Sequence, residues 1–296
     1  MKDIKNIKCV GLILKYSDRS KTQSVAEHLV DYLLQRFDSI VVRAEDKAIV
    51  PDKKNISFVS TEEFRQQCEL AFSIGGDGTL LQASHICSEY DIPIIGINLG
   101  RLGFLVEISP DNFHHRLDEI LGADYRMEER IMLEVTLHKN EAKPENFIAC
   151  NDITIRNKNT VRMLELDTQV DNVFLNTIHG DGLIISTPTG STAYALASGG
   201  PLLEPTMEAI LLVPICPHTL SQRPLVIDSK KVIEVAVTEG YHSDAVAAID
   251  GQITRNIETD TKIIIKRSAH KLKLIQTSDH DYFTTLRNKL GWSAKP

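Results

Sequence analysis

The chain reads Ala71-Phe72-Ser73-Ile74-Gly75-Gly76-Asp77-Gly78-Thr79, and this run is the most informative one in its 296 residues. A short apolar run that meets glycines at once is typical of a buried strand turning sharply into a helix. Thr79 and Gln82 predict a capping box at the start of that helix. Because helix N-termini attract anions and glycines let the backbone come close to them, the loop predicts a phosphate site.

Asp77 stands within this loop, where its carboxylate would repel the anion that the loop attracts. A carboxylate at this position has a function if Asp77 accepts a proton from an attacking hydroxyl or helps to hold a metal that bridges phosphates. The alternative is a tight turn in which Asp77 only caps backbone N–H groups. The sequence contains neither a P-loop motif nor the Gly-x-Gly-x-x-Gly motif, so any bound dinucleotide is held in another way.

The segments around this loop alternate between predicted strands and helices. Apolar runs predict strands at residues 9–14, 40–42, 56–59 and 92–97. Apolar residues recur at intervals of four and give one helix face, formed by Val25, Leu29, Leu33 and Phe37. Ser60 and Glu63 predict a capping box for the next helix. The alternation predicts an open, Rossmann-like α/β domain over residues 1–122.

From residue 123 the apolar residues recur with period two instead. Alternating runs at residues 133–137, 153–156, 161–170, 232–237, 245–249 and 263–274 predict a β-rich, mostly antiparallel domain over residues 123–276. Residues 191–198 are the helix-permissive exception, closed by Gly199-Gly200-Pro201. The last segment, 277–296, carries a predicted helix at 282–290 that is expected to return to the first domain.

Three further clusters are candidate binding segments. Residues 96–105 hold three glycines after the last predicted strand, where open α/β sheets form ligand crevices, although a glycine-rich linker fits equally well. Residues 180–194 combine Asp181 with several hydroxyls and Tyr194, which can line a polar ligand or form an ordinary Pro/Gly turn. Asn151-Asp152 suits contact with a ribose or an amide, and is also a common turn pair.

Composition excludes several classes of protein. A formal charge of -7 argues against broad nucleic-acid contact, which needs many cationic side chains. Five cysteines with no Cys-x-x-Cys spacing indicate neither a disulfide framework nor a zinc site, and His114, His115 and His218 have no partner at metal spacing. The sequence shows no signal-peptide core and no run long enough to span a membrane, so a cytoplasmic protein is expected.

In order along the chain, these segments resemble the NAD kinase family. The resemblance runs through residues 75–79, 96–98, 103–104, 151–152, 181–182, 187–194, 217–220, 250–252 and 281–287. Gly-Gly-Asp-Gly is shared with diacylglycerol-type and sphingosine-type lipid kinases and with phosphofructokinases. The run Thr-Pro-Thr-Gly-Ser-Thr-Ala-Tyr at 187–194 is far more specific.

The resemblance implies transfer of the terminal phosphoryl group of ATP, or of polyphosphate, to the 2′-hydroxyl of the adenosine ribose of NAD. It implies a homo-oligomer, a dimer or a tetramer, whereas the net charge and the lack of a long apolar run indicate no nucleic-acid or membrane partner. Asp77 would accept the proton, and Gly75, Gly76, Gly78 and Thr79 would hold the donor phosphates. NAD would be held by Asn151, Asp152, Arg162, His179, Asp181, Thr192, Ala193, Tyr194, Ala195, Leu196, Ala197 and Gln252.

His179 leaves the choice between NAD and NADH open, because basic residues are frequent at that position in the family. A divalent cation, Mg²⁺, would be held mainly by nucleotide phosphates and water, since the sequence offers no dedicated metal cage. One rival is a lipid kinase, which would carry a Gly-Thr-Gly-Asn-Asp-like segment where this chain has Gly96-Ile97-Asn98. The other is a non-catalytic nucleotide sensor, for which loss of the carboxylate at Asp77 would be expected.

Overall fold

A computed structural model describes residues 4–15, 19–100, 103–139, 143–158, 163–238, 245–258 and 261–292. The chain divides into two compact units, Met1–Glu129 with Lys271–Pro296 and Arg130–His270. The candidate site residue Arg162 lies outside the described part of the chain, as do residues 101, 102 and 161 and residues 293–296 of the segments considered above.

The first unit is built on a parallel sheet. Its strands are β1 (Cys9–Leu14), β2 (Ser39–Arg43), β3 (Ile56–Val59), β4 (Leu70–Gly75) and β5 (Ile94–Asn98). They lie in the order β5-β4-β1-β2-β3, and every neighbouring pair is parallel. This order confirms the predicted open α/β sheet. It also brings the carboxyl ends of all five strands to one edge, where such sheets bind ligands.

Four helices accompany this sheet, namely α1 (Arg19–Leu34), α2 (Thr61–Gln67), α3 (Asp77–Cys87) and α4 (Phe113–Leu121). The predicted apolar face of α1 is buried, because Val25, Leu29 and Leu33 pack in the core of the unit. The predicted capping box of α2 is confirmed. The Ser60 hydroxyl accepts the Glu63 N–H at 3.2 Å, and the Glu63 carboxylate accepts the Ser60 N–H at 2.9 Å.

Twelve strands follow α4 in the described chain, and most belong to the second unit. They are β6 (Tyr125–His138), β7 (Glu145–Ala149), β8 (Asp152–Asn157), β9 (Leu164–Val170), β10 (Val173–Gly180), β11 (Gly182–Ser186), β12 (Ala209–Ile215), β13 (Leu225–Asp228), β14 (Ile233–Val237), β15 (Ala245–Ile249), β16 (Ile253–Ile257) and β17 (Lys262–Thr277). One short helix, α5 (Tyr194–Ala197), lies among them.

Antiparallel pairing dominates the second unit, as predicted. One sheet has the order β13-β12-β11-β8-β15-β16, and a second ladder runs β10-β9-β14-β17. The alternating pattern buries one face of each strand, and aliphatic side chains from both ladders form a single core, with Leu166, Ile185 and Val235 among them. β10 and β13 each stand at the end of their strand order.

The end of the chain belongs to the first unit. Leu274 pairs in parallel with Ile94, and α6 (Tyr282–Leu290) follows. Its bounds match the predicted helix, because Asp281 caps the N–H groups of Phe283 and Thr284 at 3.1 Å and Gly291 ends the helix in the left-handed region. None of the helices in the described part of the chain has the length and apolarity needed to cross a membrane.

Candidate active site

The glycine loop of the first unit joins β4 directly to α3. β4 ends at Gly75, Gly76 occupies the N-cap in extended conformation, and the helix begins at Asp77. The first N–H groups of a helix have no carbonyl four residues earlier, so they and the helix dipole favour a bound anion. The structure therefore places Gly75, Gly76, Gly78 and Thr79 around one helix N-terminus.

The predicted capping box of α3 was wrong. The helix begins two residues before Thr79, and its N-cap is Gly76, which has no side chain to accept a hydrogen bond. Thr79 instead folds back over the end of β4. A Cβ atom placed on Gly75 would lie 2.0 Å from Thr79 Oγ1. Gly75 is thus required by the close approach of the Thr79 side chain.

The Asp77 carboxylate is held by a second glycine-containing segment. Its Oδ2 atom accepts the N–H of Phe104 at 2.8 Å, and its Oδ1 atom accepts the N–H of Leu105 at 3.1 Å. Asp77 does bind backbone N–H groups, as one interpretation required, but these groups lie 27 and 28 residues further along the chain. A carboxylate offers about four acceptor positions, so Asp77 can still accept a hydrogen bond from a ligand.

Two further residues flank the loop at the carboxyl edge of the sheet. The N–H of Lys15, which follows β1, donates to the Ile74 carbonyl at 3.0 Å, and Asn98 at the end of β5 pairs with Gly75. The Asn98 side chain accepts the Gly100 N–H at 2.9 Å and stabilises the next turn. Lys15 belongs to no sequence motif, and it stands beside the loop only because β1 and β4 are neighbours in the sheet.

The second unit contains a pocket of about 310 Å³, a size at the lower end of the usual range for small-molecule sites. Four predicted site residues line it together, Asn151, Asp152, Ala193 and Tyr194. The pocket also has lining residues that the sequence analysis did not predict, namely Thr154, Arg156, Ala248, Asp250, Gly251 and Thr254.

Asp250 fixes the backbone of this pocket. Its carboxylate accepts three consecutive N–H groups, from Cys150 at 2.8 Å, Asn151 at 2.7 Å and Asp152 at 3.0 Å. Asp250 itself has φ 49°, and Gly251 follows it in the turn after β15. An Asp-Gly pair after a predicted strand indicates such a turn, but it does not reveal a partner a hundred residues away.

Asp152 is nearly inaccessible to solvent, with 5% of its surface exposed. Burial raises the pKa of its carboxyl group from 3.8 to about 7, the charge of Asp250 adds to this effect, and the Thr154 hydroxyl opposes it. That hydroxyl donates to Asp152 Oδ1 at 3.2 Å. Near neutral pH, Asp152 is therefore present in both protonation states and can donate or accept a hydrogen bond.

The hydroxyl-rich run before Tyr194 mainly stabilises the protein backbone. The Thr187 hydroxyl donates to the Cys150 carbonyl at 2.6 Å and accepts the Gly190 N–H at 3.1 Å. Ser191 accepts the Leu203 N–H at 3.0 Å. Both side chains are buried, so these hydroxyls position the turn beside the pocket. Tyr194 is 45% exposed and offers its ring to the pocket.

The remaining predicted residues lie elsewhere in the second unit. Thr192 is half-buried, Ala195 is fully buried, and Leu196 and Ala197 continue α5. His179 Nδ1 lies 3.3 Å from a carboxylate oxygen of Glu165, and Gln252 follows Gly251. The Asp181 N–H donates to the Ile215 carbonyl at 2.9 Å, and the exposed Cys216 comes next after Ile215. None of these residues is among those that line the pocket.

Comparison with known proteins agrees with this geometry. A family model described as the ATP-NAD kinase N-terminal domain matches residues 10–125, and one described as the ATP-NAD kinase C-terminal domain matches residues 150–277. The NAD kinase of Photorhabdus laumondii is 39% identical over 293 residues, which cover 98% of this chain and 99% of that protein. The NAD kinase of Teredinibacter turnerae is 37% identical over 285 residues, covering 96% and 97%.

Two solved structures share the fold. The crystal structure of yeast NADH kinase complexed with NADH has a TM-score of 0.86 at 24% identity, covering 98% of this chain and 89% of that one. An NAD kinase from Archaeoglobus fulgidus in complex with ATP has a TM-score of 0.71 at 26% identity, covering 96% and 97%.

Fold, glycine loop and relatives together define a phosphotransferase that acts on a dinucleotide. The chain belongs to the ATP-NAD kinase family, and its enzymatic activity is that of an NAD kinase. The lipid-kinase and sensor alternatives find no support among these matches.

Proposed function

We propose that Asp77 is the proton acceptor when the terminal phosphoryl group of ATP is transferred to the 2′-hydroxyl of the adenosine ribose of NAD. The observation that carries this proposal is the orientation of the Asp77 carboxylate at the start of α3, which the N–H groups of Phe104 and Leu105 fix. Phosphoryl transfer needs positioning, charge neutralisation and one base, and little covalent work from the protein. A carboxylate with free acceptor positions at an anion-binding loop suits the third role.

The donor phosphates would bind at the glycine loop. Gly75, Gly76, Gly78 and Thr79 supply backbone around the N-terminus of α3, which favours anions through its N–H groups and dipole. Lys15 would add a positive charge, because its backbone bonds to Ile74 immediately before the loop. A cation beside developing negative charge stabilises it most when water is excluded.

NAD would bind in the pocket of the second unit. Asn151 and Asp152 present an amide and a partly protonated carboxyl group, which match ribose hydroxyls, and the Tyr194 ring can stack on a flat base or nicotinamide. The other residues that the family resemblance assigns to NAD stay proposals, namely Arg162, His179, Asp181, Thr192, Ala195, Leu196, Ala197 and Gln252.

A divalent cation, Mg²⁺, would enter with the nucleotide. In the described part of the chain, no three His, Cys, Asp or Glu side chains are grouped so that they could hold a metal ion. Mg²⁺ commonly keeps water and substrate phosphates as ligands, so the phosphates of ATP would carry the ion into the site. When bound, the ion would neutralise charge on the phosphates.

We also propose a homo-oligomer that works in the cytoplasm. Apolar side chains are exposed on β10, where Val173 and Phe174 are 69% and 60% accessible, and on β13 at Leu225 and Val226. Both strands end their strand orders, and a second copy of the chain would cover such apolar edges. All five cysteines are free thiols, which suits a reducing compartment.

Asp77→Asn tests the proposed chemistry. The variant keeps the shape of the side chain, removes the base and removes a charge that repels the triphosphate. We expect it to fold, to bind ATP at least as well as the parent, and to form NADP roughly 10²–10⁴-fold more slowly. NADP is measured by mass spectrometry after incubation with NAD, ATP and Mg²⁺, with ATP affinity and melting temperature on the same preparation.

Asp111→Asn, at an exposed aspartate of the first unit, is the matched control and should behave like the parent. If Asp77→Asn turns over within a few-fold of the parent, Asp77 is a structural residue and the proposed chemistry is wrong.

A further inference from the structure

We propose that Gly103 is a positioning residue for Asp77, because the missing Cβ atom leaves the space that the Asp77 carboxylate occupies. The inference rests on the proposed role of Asp77 as proton acceptor. The glycine segment at residues 96–105 was interpreted from sequence as a ligand crevice or a linker. The geometry assigns its Gly103 a different task, which is to let the backbone of one loop approach the carboxylate of another.

The atoms nearest to the space beside Gly103 belong to the Asp77 carboxyl group. A Cβ atom built on Gly103 would lie 1.9 Å from Asp77 Oδ1, 2.6 Å from Cγ and 2.9 Å from Oδ2, and these are its three nearest atoms. Carbon and oxygen atoms that are not bonded cannot approach so closely, so any side chain at 103 displaces the carboxylate. The distances therefore link the two residues sterically.

The same segment also sets the angle of the carboxylate. The two residues after Gly103 donate their N–H groups to different oxygens of Asp77, at 2.8 Å and 3.1 Å. The Gly103 N–H itself donates to the Val106 carbonyl at 3.3 Å and closes the turn that presents those donors. Glycine at 103 thus allows the approach, and the following N–H groups fix the side chain once it is there.

Placement of this kind matters for a base more than for a binding group. A general base must lie within hydrogen-bond reach of the proton that it accepts, and a displacement of about 1 Å can cost roughly 100-fold in rate. Backbone binding of the donor phosphates does not depend on the Asp77 side chain. A side chain at 103 should therefore lower kcat and leave the KM for ATP nearly unchanged.

Gly100 provides the matched control. It belongs to the same segment, yet a Cβ atom built there meets nothing within 4 Å, and its backbone is not in the left-handed region. Gly100→Ala and Gly103→Ala thus make the same chemical change a few residues apart. They differ in whether the added methyl group meets Asp77.

The experiment compares four variants with the parent: Gly103→Ala, Gly100→Ala, Asp77→Ala and the double variant Asp77→Ala/Gly103→Ala. We expect Gly103→Ala to lose about 100-fold in kcat with the KM for ATP within about three-fold, and Gly100→Ala to stay within about three-fold in both. Gly103→Ala should also lower the melting temperature by roughly 5 °C, as overpacking does. In the Asp77→Ala background the same methyl group should lower neither the melting temperature nor the remaining turnover.

The outcomes separate this proposal from the proposed function. Parental kcat in Gly103→Ala, or an equal loss of melting temperature with and without the Asp77 side chain, would overturn the positioning role while Asp77 stays the base. Loss of activity in Gly103→Ala beside a fully active Asp77→Asn would overturn the proton-acceptor role instead. If Gly103→Ala alone does not fold, the double variant must fold for the positioning role to stand.

Discussion

The carboxyl groups of Asp152 and Asp250 line the same pocket of the second unit, and the charge of Asp250 adds to burial in raising the pKa of Asp152 to about 7. The two residues are held differently. Asp250 accepts three backbone N–H groups, whereas Asp152 accepts the hydroxyl of Thr154. The pocket thus combines one carboxylate that accepts three backbone hydrogen bonds with one carboxyl group whose raised pKa favours its protonated form.

Asp152→Asn should stabilise the free protein at pH 8. The folded pKa of about 7 lies above the unfolded value of 3.8, so the native state binds the proton more tightly. The parent therefore loses stability as pH rises between these values, and the neutral variant does not. The gain at pH 8 should be on the order of a few kcal/mol and should shrink toward pH 5, as measured by urea unfolding.

Asp171→Asn is the control, because the pKa of Asp171 is shifted in the opposite direction. The pKa of Asp171 is lowered by its hydrogen bond from Lys231, so removal of this charge should not stabilise the protein at pH 8. A pH-independent difference between Asp152→Asn and the parent would contradict the assigned pKa.

Tyr194→Ala should weaken NAD binding selectively. The ring is 45% exposed and lines the pocket, so its loss removes a stacking surface and leaves the backbone of the pocket intact. We expect the KM for NAD to rise roughly 5–30-fold, the equivalent of about 1–2 kcal/mol, with the KM for ATP unchanged. Tyr194→Phe should restore most of the affinity, and Tyr90→Ala, at an exposed tyrosine of the first unit, should change neither constant. Equal weakening of both substrates would remove Tyr194 from the NAD site.

Lys15→Met should weaken ATP binding and leave NAD binding alone. The substitution keeps the length of the side chain and removes the charge beside the glycine loop. A charge-assisted contact to phosphate is worth about 1.5–3 kcal/mol, so the KM for ATP should rise roughly ten-fold or more, and less so at high salt. Lys8→Met, at the opposite end of β1, is the matched control. An unchanged KM for ATP in Lys15→Met would show that the cation does not meet the donor.

Phe174→Glu should dissociate the proposed oligomer. A charge on the exposed apolar edge of β10 would have to be buried against a second copy, which is costly. Light scattering should show a smaller species than for the parent. Met207→Glu changes another exposed apolar residue, which is not on β10 or β13, and it should keep the parental mass. A parent that already has only the mass of one 33.1 kDa chain would refute the oligomer.

Sequence patterns predicted the bounds of a strand or helix well where neighbouring residues alone determine those bounds. The bounds of β1 and α6 coincide with the predicted segments, because an apolar run buried on both faces and an Asp cap with a following glycine are signals carried by neighbouring residues. Thr79 shows the limit of such signals. A Thr-x-x-Gln pattern fits a capping box, yet the preceding glycines allow the helix to begin earlier.

Contacts between distant segments could not be predicted in this way. Asp250 bonds to Asn151 across 99 residues, and Asp77 bonds to Phe104 across 27. Each contact depends on which strands become neighbours, and a single sequence does not state that order. Asp77 and Asn151 were found from their own motifs, whereas the residues that position them, Gly103 and Asp250, became visible only from the three-dimensional arrangement.

Cys216 offers a site for chemical labelling. It is the exposed thiol among the five cysteines, while burial raises the pKa of Cys9, Cys68 and Cys87, and Cys150 is buried. Thiol-directed reagents react with accessible thiolates, so a maleimide dye should modify Cys216 first. The dye would sit next to Ile215, whose carbonyl accepts the Asp181 N–H. The native chain can therefore carry a fluorescent reporter beside a residue proposed to bind NAD, without an engineered cysteine.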